Sequence, residues 1–489
     1  MNPSCSPTIP KAPRTGRRRR WWRVALLLVA LVILVPLLLL GFTVLSTRQA
    51  WAEAETEADL DMARWRLMDL EADRPDIPDK GNSALHIIAV RRKAGAFAVG
   101  LAPNYEKIFE KLPPTAQLNI QQSELIRGQL AKIAKPLEEA RKLKDMPRGR
   151  FLITYTDDFI GTLIPDHQDS RTLVEWLQHN AMLLAHDKQY DRAVESCQAI
   201  LNVGRTMDGE PILIGHLIRM AEQQIALTTL ERVLAQGQAS EERLQAMQAL
   251  LAQDLQENGW LVAIRGERGG YHYLFDNIRS GKVQSSWLTK LGVRRGAGGD
   301  VLECAGMWIA DVYPTAMLKY YPEYLRHMNR CVDIAKLPIH ERPAKVAECE
   351  ADHRNTKNPL IKKLAPALSK VSAADSRHQA MLRSTMAALA CERYRLRYKD
   401  NAWPASLDVL VKEKLLDAIP ADPMDNQPIR YRRTKEGIVI YSIGMDMTDN
   451  HGTITRDGNW LDPGQDIGFR LWNVERRRQA ALPPVAIPE

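Results

Sequence analysis

Residues 24–45 read VALLLVALVILVPLLLLGFTVL, a run without a single charge. At 1.5 Å of rise per residue, a helix of that length covers a hydrocarbon core of about 30 Å. The run therefore reads as a membrane-spanning helix. Pro36 lies inside it, which a membrane helix tolerates because local adjustment satisfies the freed carbonyl.

The flanks set an orientation. Lys11, Arg14, Arg17, Arg18, Arg19, Arg20 and Arg23 precede the run with no acidic residue among them, and Glu53, Glu55, Glu57, Asp59 and Asp61 follow it. A basic inner flank places residues 1–23 in the cytoplasm as a short tail and exports everything after residue 45. Trp21 and Trp22 fit an interfacial anchor at the inner end, and Trp51 stands near the outer end. The competing reading is a cleaved signal peptide, because Ala50-Trp51-Ala52 has the small-x-small form of a cleavage site. Its apolar core would normally be only about 7–15 residues, shorter than this run.

The formal net charge is +8, and subtracting the seven basic residues of the tail leaves about +1 for the rest. Nucleic acid is therefore not an expected partner. The lipid bilayer is, since a basic tail is drawn to anionic headgroups, and so are other exported or membrane proteins. Cysteine is sparse. An oxidising compartment would allow a bond such as Cys331 to Cys349, and separate buried thiols are the other account.

The exported part, about 440 residues, is long enough for two or three packed units. The expected fold is mainly α: a transmembrane helix, a helical-hairpin exported domain and a small α+β head at the C-terminus. The divisions are 46–279 for the helical domain, 280–300 for a Gly-, Ser- and Arg-rich loop, 301–379 for further helices, 380–470 for the head and 471–489 for a flexible tail. A juxtamembrane helix from about Trp51 to Leu70 should stop at Arg74-Pro75-Asp76-Ile77-Pro78. Leu173, Val174, Leu177, Ala181 and Leu184, then Ala193, Cys197, Ile200, Leu201 and Gly204, mark the faces of two antiparallel helices. Their join, HDKQYDRAVESCQAIL, resembles one unit of a tetratricopeptide repeat, with no second copy at that period.

After Asp400 the texture changes to short, turn-rich elements. Asp422-Pro423 and Asn426-Gln427-Pro428 are turn chemistry, and Ile429–Arg432 and Ile438–Tyr441 are strand-forming runs joined across Lys435-Glu436-Gly437. A long helix, Trp403-Pro404 with Ser406-Leu407, the Pro420-Ala421-Asp422-Pro423 turn, and Tyr441-Ser442-Ile443-Gly444-Met445-Asp446 together resemble the head of the major pseudopilin of type II secretion. The resemblance implies a calcium ion in the loop after that last run. Its ligands would be the Ile443 carbonyl and the carboxylates of Asp446 and Asp466, with Asp449, Asp457 or Asp462 as substitutes. It does not imply a filament subunit: Gly41-Phe42-Thr43-Val44-Leu45 mimics the pseudopilin cleavage signal at the wrong end of the span, and Ser46 replaces the expected glutamate. The chain also resembles membrane-anchored helical proteins of planctomycete-type bacteria, through residues 388–395 (ALACERYR), Trp403 to Val411 and Tyr441 to Asp446. No activity comes with that resemblance.

Enzyme motifs give little. His179 and His186 are two turns apart, too far for adjacent ligation of zinc. Asp166, His167 and Asp169 suit a helix start. Arg265-Gly266-Glu267-Arg268-Gly269-Gly270-Tyr271-His272 reads as a loop or helix end, and no GxSxG, HExxH or P-loop occurs. The expected function is a non-catalytic membrane-anchored scaffold or interaction protein. The alternatives are a membrane-bound hydrolase without a recognisable motif and an accessory factor of a type II secretion-like system. A tight pocket gathering His167, Glu267 and His272 would favour the hydrolase, and a helical groove without convergent polar groups the scaffold.

Overall fold

The computed structural model describes residues 15–95, 109, 112–284, 315–398, 402–454 and 465–484, with side chains from Trp21 onward. Of the expected helical segment 301–379 the first part, 301–314, lies outside these residues, as do most of the 280–300 loop, Asp457 and Asp462; from 315 to 379 the chain is largely helical. The described chain is mainly helical with one small sheet.

Its first element is a single helix of 47 residues, Thr15–Asp61. Among the described residues this is the one helix long and apolar enough to cross a membrane, and it fits a single-pass anchor or a signal sequence. The helix does not pause after Leu45, because no proline or glycine falls between there and Asp61. The juxtamembrane helix is thus the outer end of the apolar one. It breaks at residues 62–66 and a separate short helix, Leu67–Ala72, follows.

Along the apolar stretch the side chains are exposed, but Trp51, Ala54 and Ala58 are buried. Their i, i+3, i+7 spacing is one helical stripe. The stripe enters an aromatic-rich core of Trp65, Trp260, Phe275, Tyr321 and Tyr324, drawn mainly from the Gly259–Arg279 and Tyr321–Lys336 helices.

Arg265 to His272 lies in the middle of the Gly259–Arg279 helix, against the expectation of a loop. Glycine is a poor helix former, and close approach explains its use here. A Cβ at Gly266 would stand 2.1 Å from the Pro211 carbonyl oxygen, at Gly269 2.8 Å from that of Trp65, and at Gly270 2.1 Å from the Phe159 ring. Three segments lie directly on this helix's backbone.

A second, larger core is aliphatic. The Asp166–His186 and Tyr190–Gly204 helices bury the two expected faces against each other, joined by a three-residue turn in which Lys188 takes a positive φ. The Leu213–Gln236 and Glu241–Asp254 helices and the long Leu368–Arg397 helix complete it. On the last helix packs an antiparallel sheet in the order β1 (Arg430–Arg433), β2 (Gly437–Ser442), β3 (Ile467–Trp472), with Tyr431 opposite Ile440 and Ile440 opposite Phe469. All six residues of β2 are buried.

Residues 474–484, read from sequence as part of a flexible tail, are fastened down. Arg477 donates 2.8 Å hydrogen bonds from both terminal nitrogens to the two oxygens of buried Glu392, and Gln479 pairs with Ala116 in an isolated bridge.

Candidate functional site

The resemblance motifs at the C-terminus meet in space. Asp422 of the Pro-Ala-Asp-Pro turn accepts the Ser442 hydroxyl (2.6 Å) and the Met424 amide (2.9 Å) on one oxygen, and the Ile443 amide (3.1 Å) and an Arg430 nitrogen (2.5 Å) on the other. This buried carboxylate ties the turn to the start of the Ser-Ile-Gly-Met-Asp loop. Glu392 of the Ala388–Arg395 run is gripped by Arg395 as well as Arg477, so its carboxyl, despite burial, is held below the usual range by those two guanidiniums. Trp403 donates its indole N–H to Asn473 at 2.7 Å.

The calcium candidates Ile443, Asp446 and Asp466 come to one loop. Gly444 takes φ +74°, and a Cβ there would stand 2.3 Å from the Gln465 carbonyl oxygen, so this position brings the two chain segments together. Asn450 spans the carboxylates: its amide donates to Asp466 at 3.2 Å and its side chain to Asp446 at 3.3 Å. The Gly452 amide donates to the other Asp466 oxygen at 2.6 Å. Burial raises the Asp466 pKa against the pull of these amides. Oxygen-rich loops of this kind suit a hard cation.

Beside this loop opens a cleft of about 770 Å³ between β3, the Leu213–Gln236 helix and the Leu368–Arg397 helix. Met182, Met220, Met381 and Met445 line it, a composition whose flexible thioethers repack against varied surfaces. Its polar wall is largely committed: Arg470 donates to Glu231 at 2.8 Å, Arg232 donates to the carbonyls of Pro113 and Ala116, and His378, pushed down to about 3 by burial, sits 2.8 Å from Gln223. Arg377 brings a buried Nη1 to the cleft without an acceptor among the described residues.

His167, Glu267 and His272 do not converge. His167 lies 2.8 Å from Glu210 and stacks near Phe151; Glu267 accepts the Leu213 amide at 3.1 Å; His272 sits among Trp51, Trp65 and Tyr321, 2.6 Å from the Tyr321 hydroxyl. Asp169 faces Arg91 at 3.4 Å, and burial pushes His179 down to about 4. Cys331 and Cys349 are adjacent free thiols with His327 beside them.

Sequence reasoning missed the Ser170–Glu222 pair and the Arg205–Asp254–Arg219 cluster, buried ion and hydrogen-bond systems whose partners are 35 to 52 residues apart. No local signal announces such pairs. The cleft was equally hidden, being assembled from six separate parts of the chain. No protein-family model, curated protein or solved structure matches this chain.

Proposed function

We propose that this protein is a non-catalytic scaffold anchored by one membrane helix, whose exported body offers the methionine-rich cleft to an apolar segment of another exported or membrane protein. The observation that carries the reading is the unbroken Thr15–Asp61 helix, apolar and exposed at one end and buried in the aromatic core at the other. Cleavage at Ala50-Trp51-Ala52 would cut inside that helix and take Trp51 out of its core. A retained anchor follows, and with it a body fixed rigidly to the membrane instead of hanging from a linker.

The basic residues before the apolar run orient the body outward. The imidazole and carboxylates that reach the cleft are already committed, His378 to Gln223, Glu231 to Arg470 and Asp466 to backbone amides, which favours binding over catalysis. In this reading the pseudopilin-like head holds calcium through Ile443, Asp446 and Asp466 and stiffens the cleft's rim. A reporter enzyme that is active only outside the cytoplasm, fused after Glu489, should be active, while the same reporter at Met1 should be silent. The reverse pattern removes the topology. A photo-crosslinking residue at Met381 should then capture a discrete membrane or exported protein, and capture of bilayer lipid alone would remove the scaffold.

A further inference from the structure

The Tyr321–Lys336 and Arg342–Asn355 helices carry a constellation that neither the cleft nor the head involves. His327 and Cys331 stand four residues apart on the first, and Cys349 and His353 stand four apart on the second. That spacing puts both members of each pair on one helical face, the arrangement by which a helix offers two ligands to one metal ion. The two faces meet. Ligand atoms of His327, Cys331 and Cys349 all lie within 4.8 Å of one another, and Cys349 Sγ is 4.0 Å from His327 Nδ1. The His353 ring stands edge-on to that of His327, their centroids 5.9 Å apart at 89°.

Both sulfurs belong to fully buried residues, whereas the two histidines are half-buried, so the group is closed on the protein side and reachable from solvent. His327 Nε2 is buried and has no hydrogen-bond partner among the described residues. The thiolate is the form that ligates metals.

We propose that His327, Cys331, Cys349 and His353 form a tetrahedral zinc site that joins these two helices. Zinc bound at about 2.3 Å from sulfur and about 2.1 Å from nitrogen needs ligand atoms roughly 3.5–3.8 Å apart. The three that already lie within 4.8 Å reach this by closing about 1 Å, and a rotation of the half-exposed His353 ring supplies the fourth. Two thiolates and two neutral imidazoles cancel the charge of Zn²⁺, and any thiol proton is released to solvent on binding. A donor set of two sulfurs and two nitrogens selects zinc over calcium or magnesium. The clamp has a mechanical place in the fold. The Tyr321–Lys336 helix also holds the long apolar helix, through Arg326 to Glu57 at 2.8 Å and through the Lys336–Asp61 ion pair. Zinc would brace that collar from behind.

The test uses the full chain in detergent, purified without chelator and without a metal-affinity tag. Elemental analysis should find one zinc per chain. Replacement by cobalt should give thiolate charge-transfer absorption and the intense visible bands of a tetrahedral ion. Cys331→Ser and Cys349→Ser should each remove most of the charge-transfer band. His353→Gln, at a half-exposed position the fold tolerates, should weaken zinc binding by about tenfold or more. Reduced protein that takes up no zinc from excess overturns the proposal, as does a Cys331–Cys349 disulfide in freshly isolated protein. So does cobalt absorption indifferent to Cys349→Ser, or zinc affinity indifferent to His353→Gln.

Discussion

The two cores are built from different side chains. The one that receives the end of the apolar helix is rich in aromatic residues, Trp51, Trp65, Trp260, Phe275, Tyr321 and Tyr324 among them. The one beneath the sheet is aliphatic, carried by residues such as Leu177, Ile200, Leu230, Leu389 and Ile440. Flat rings offer few favoured packing arrangements, so they fix the rotation of the helix they hold. Trp51 shows this: its ring lies 4.1 Å from that of Tyr321, with the Arg279 guanidinium 4.7 Å over it. The aliphatic core holds its outer elements differently, by buried charge. Glu392 fastens the C-terminal segment and Asp422 fastens the loop that follows β2. The first region clamps by ring packing, with the ion pairs of Arg326, Arg268 and Lys336 to Glu57 and Asp61 around it, and the second by buried ion pairs alone.

That contrast predicts unequal damage. Glu392→Ala removes the carboxylate that buried Arg477 and Arg395 both grip and should cost about 5 kcal/mol, the upper end for a broken buried pair. Chemical denaturation of the chain in detergent would measure it, and a loss under about 1 kcal/mol would show the charges to be solvated. Trp51→Ala should cost somewhat less, about 3–4 kcal/mol, through lost burial and stacking. Hydrogen exchange should then report opening of the Gly259–Arg279 and Tyr321–Lys336 helices, with the sheet still protected. Uniform opening would mean that the cores are one cooperative unit.

Calcium should act only on the sheet side. At a hundred times its Kd it adds about 2.7 kcal/mol, and Asp446→Ala should abolish that increment. Equal melting in calcium and in chelator would leave the loop merely polar.

The most gradual effect is a pH slope. Burial, helped by Glu210, raises Glu222 to about 8. Its neighbour Ser170 has one proton and two acceptors in reach, the His167 carbonyl at 2.8 Å and Glu222 at 2.7 Å, so protonated Glu222 completes the pairing. The folded state therefore keeps a proton that the unfolded chain gives up. This stabilisation is complete below about pH 4.5 and is lost as the pH rises towards 8. Glu222→Gln cannot lose a proton, so its melting temperature should gain on the wild type as the pH rises through this window. Parallel curves would refute the assignment. Glu267 and Asp208, both raised to about 7 chiefly by burial, slope the same way and remain in the variant.

What the sequence discloses depends on distance along the chain. The apolar run, the hairpin of Leu173 to Leu201, the Ser240 helix cap and the turn across Lys435-Glu436-Gly437 are local patterns, and each is legible. The helix continuing past Leu45 is also local, since nothing there breaks it, but the change from apolar to acidic composition disguised the continuity. The acidic residues beyond the apolar run read as part of a charge asymmetry. In the fold Glu57 and Asp61 are ion-pair partners of Arg326, Arg268 and Lys336, and Asp59 accepts the Trp65 indole. Gly266, Gly269 and Gly270 mislead because helix propensity counts against them, while the segments that need their missing side chains come from Pro211, Trp65 and Phe159. The Asp422–Ser442 bond joins two quoted motifs whose pairing neither motif states. The HxxxC and CxxxH spacings at His327 and Cys349 were visible, but not that the two faces meet.

The proposed scaffold requires that the apolar helix is kept and is one rigid piece with the body. Intact-mass analysis of the protein recovered from membranes tests it most directly. The expected product retains residues before Trp51 and stays with the membrane through alkaline extraction. A soluble product beginning at or near Glu53 would contradict it.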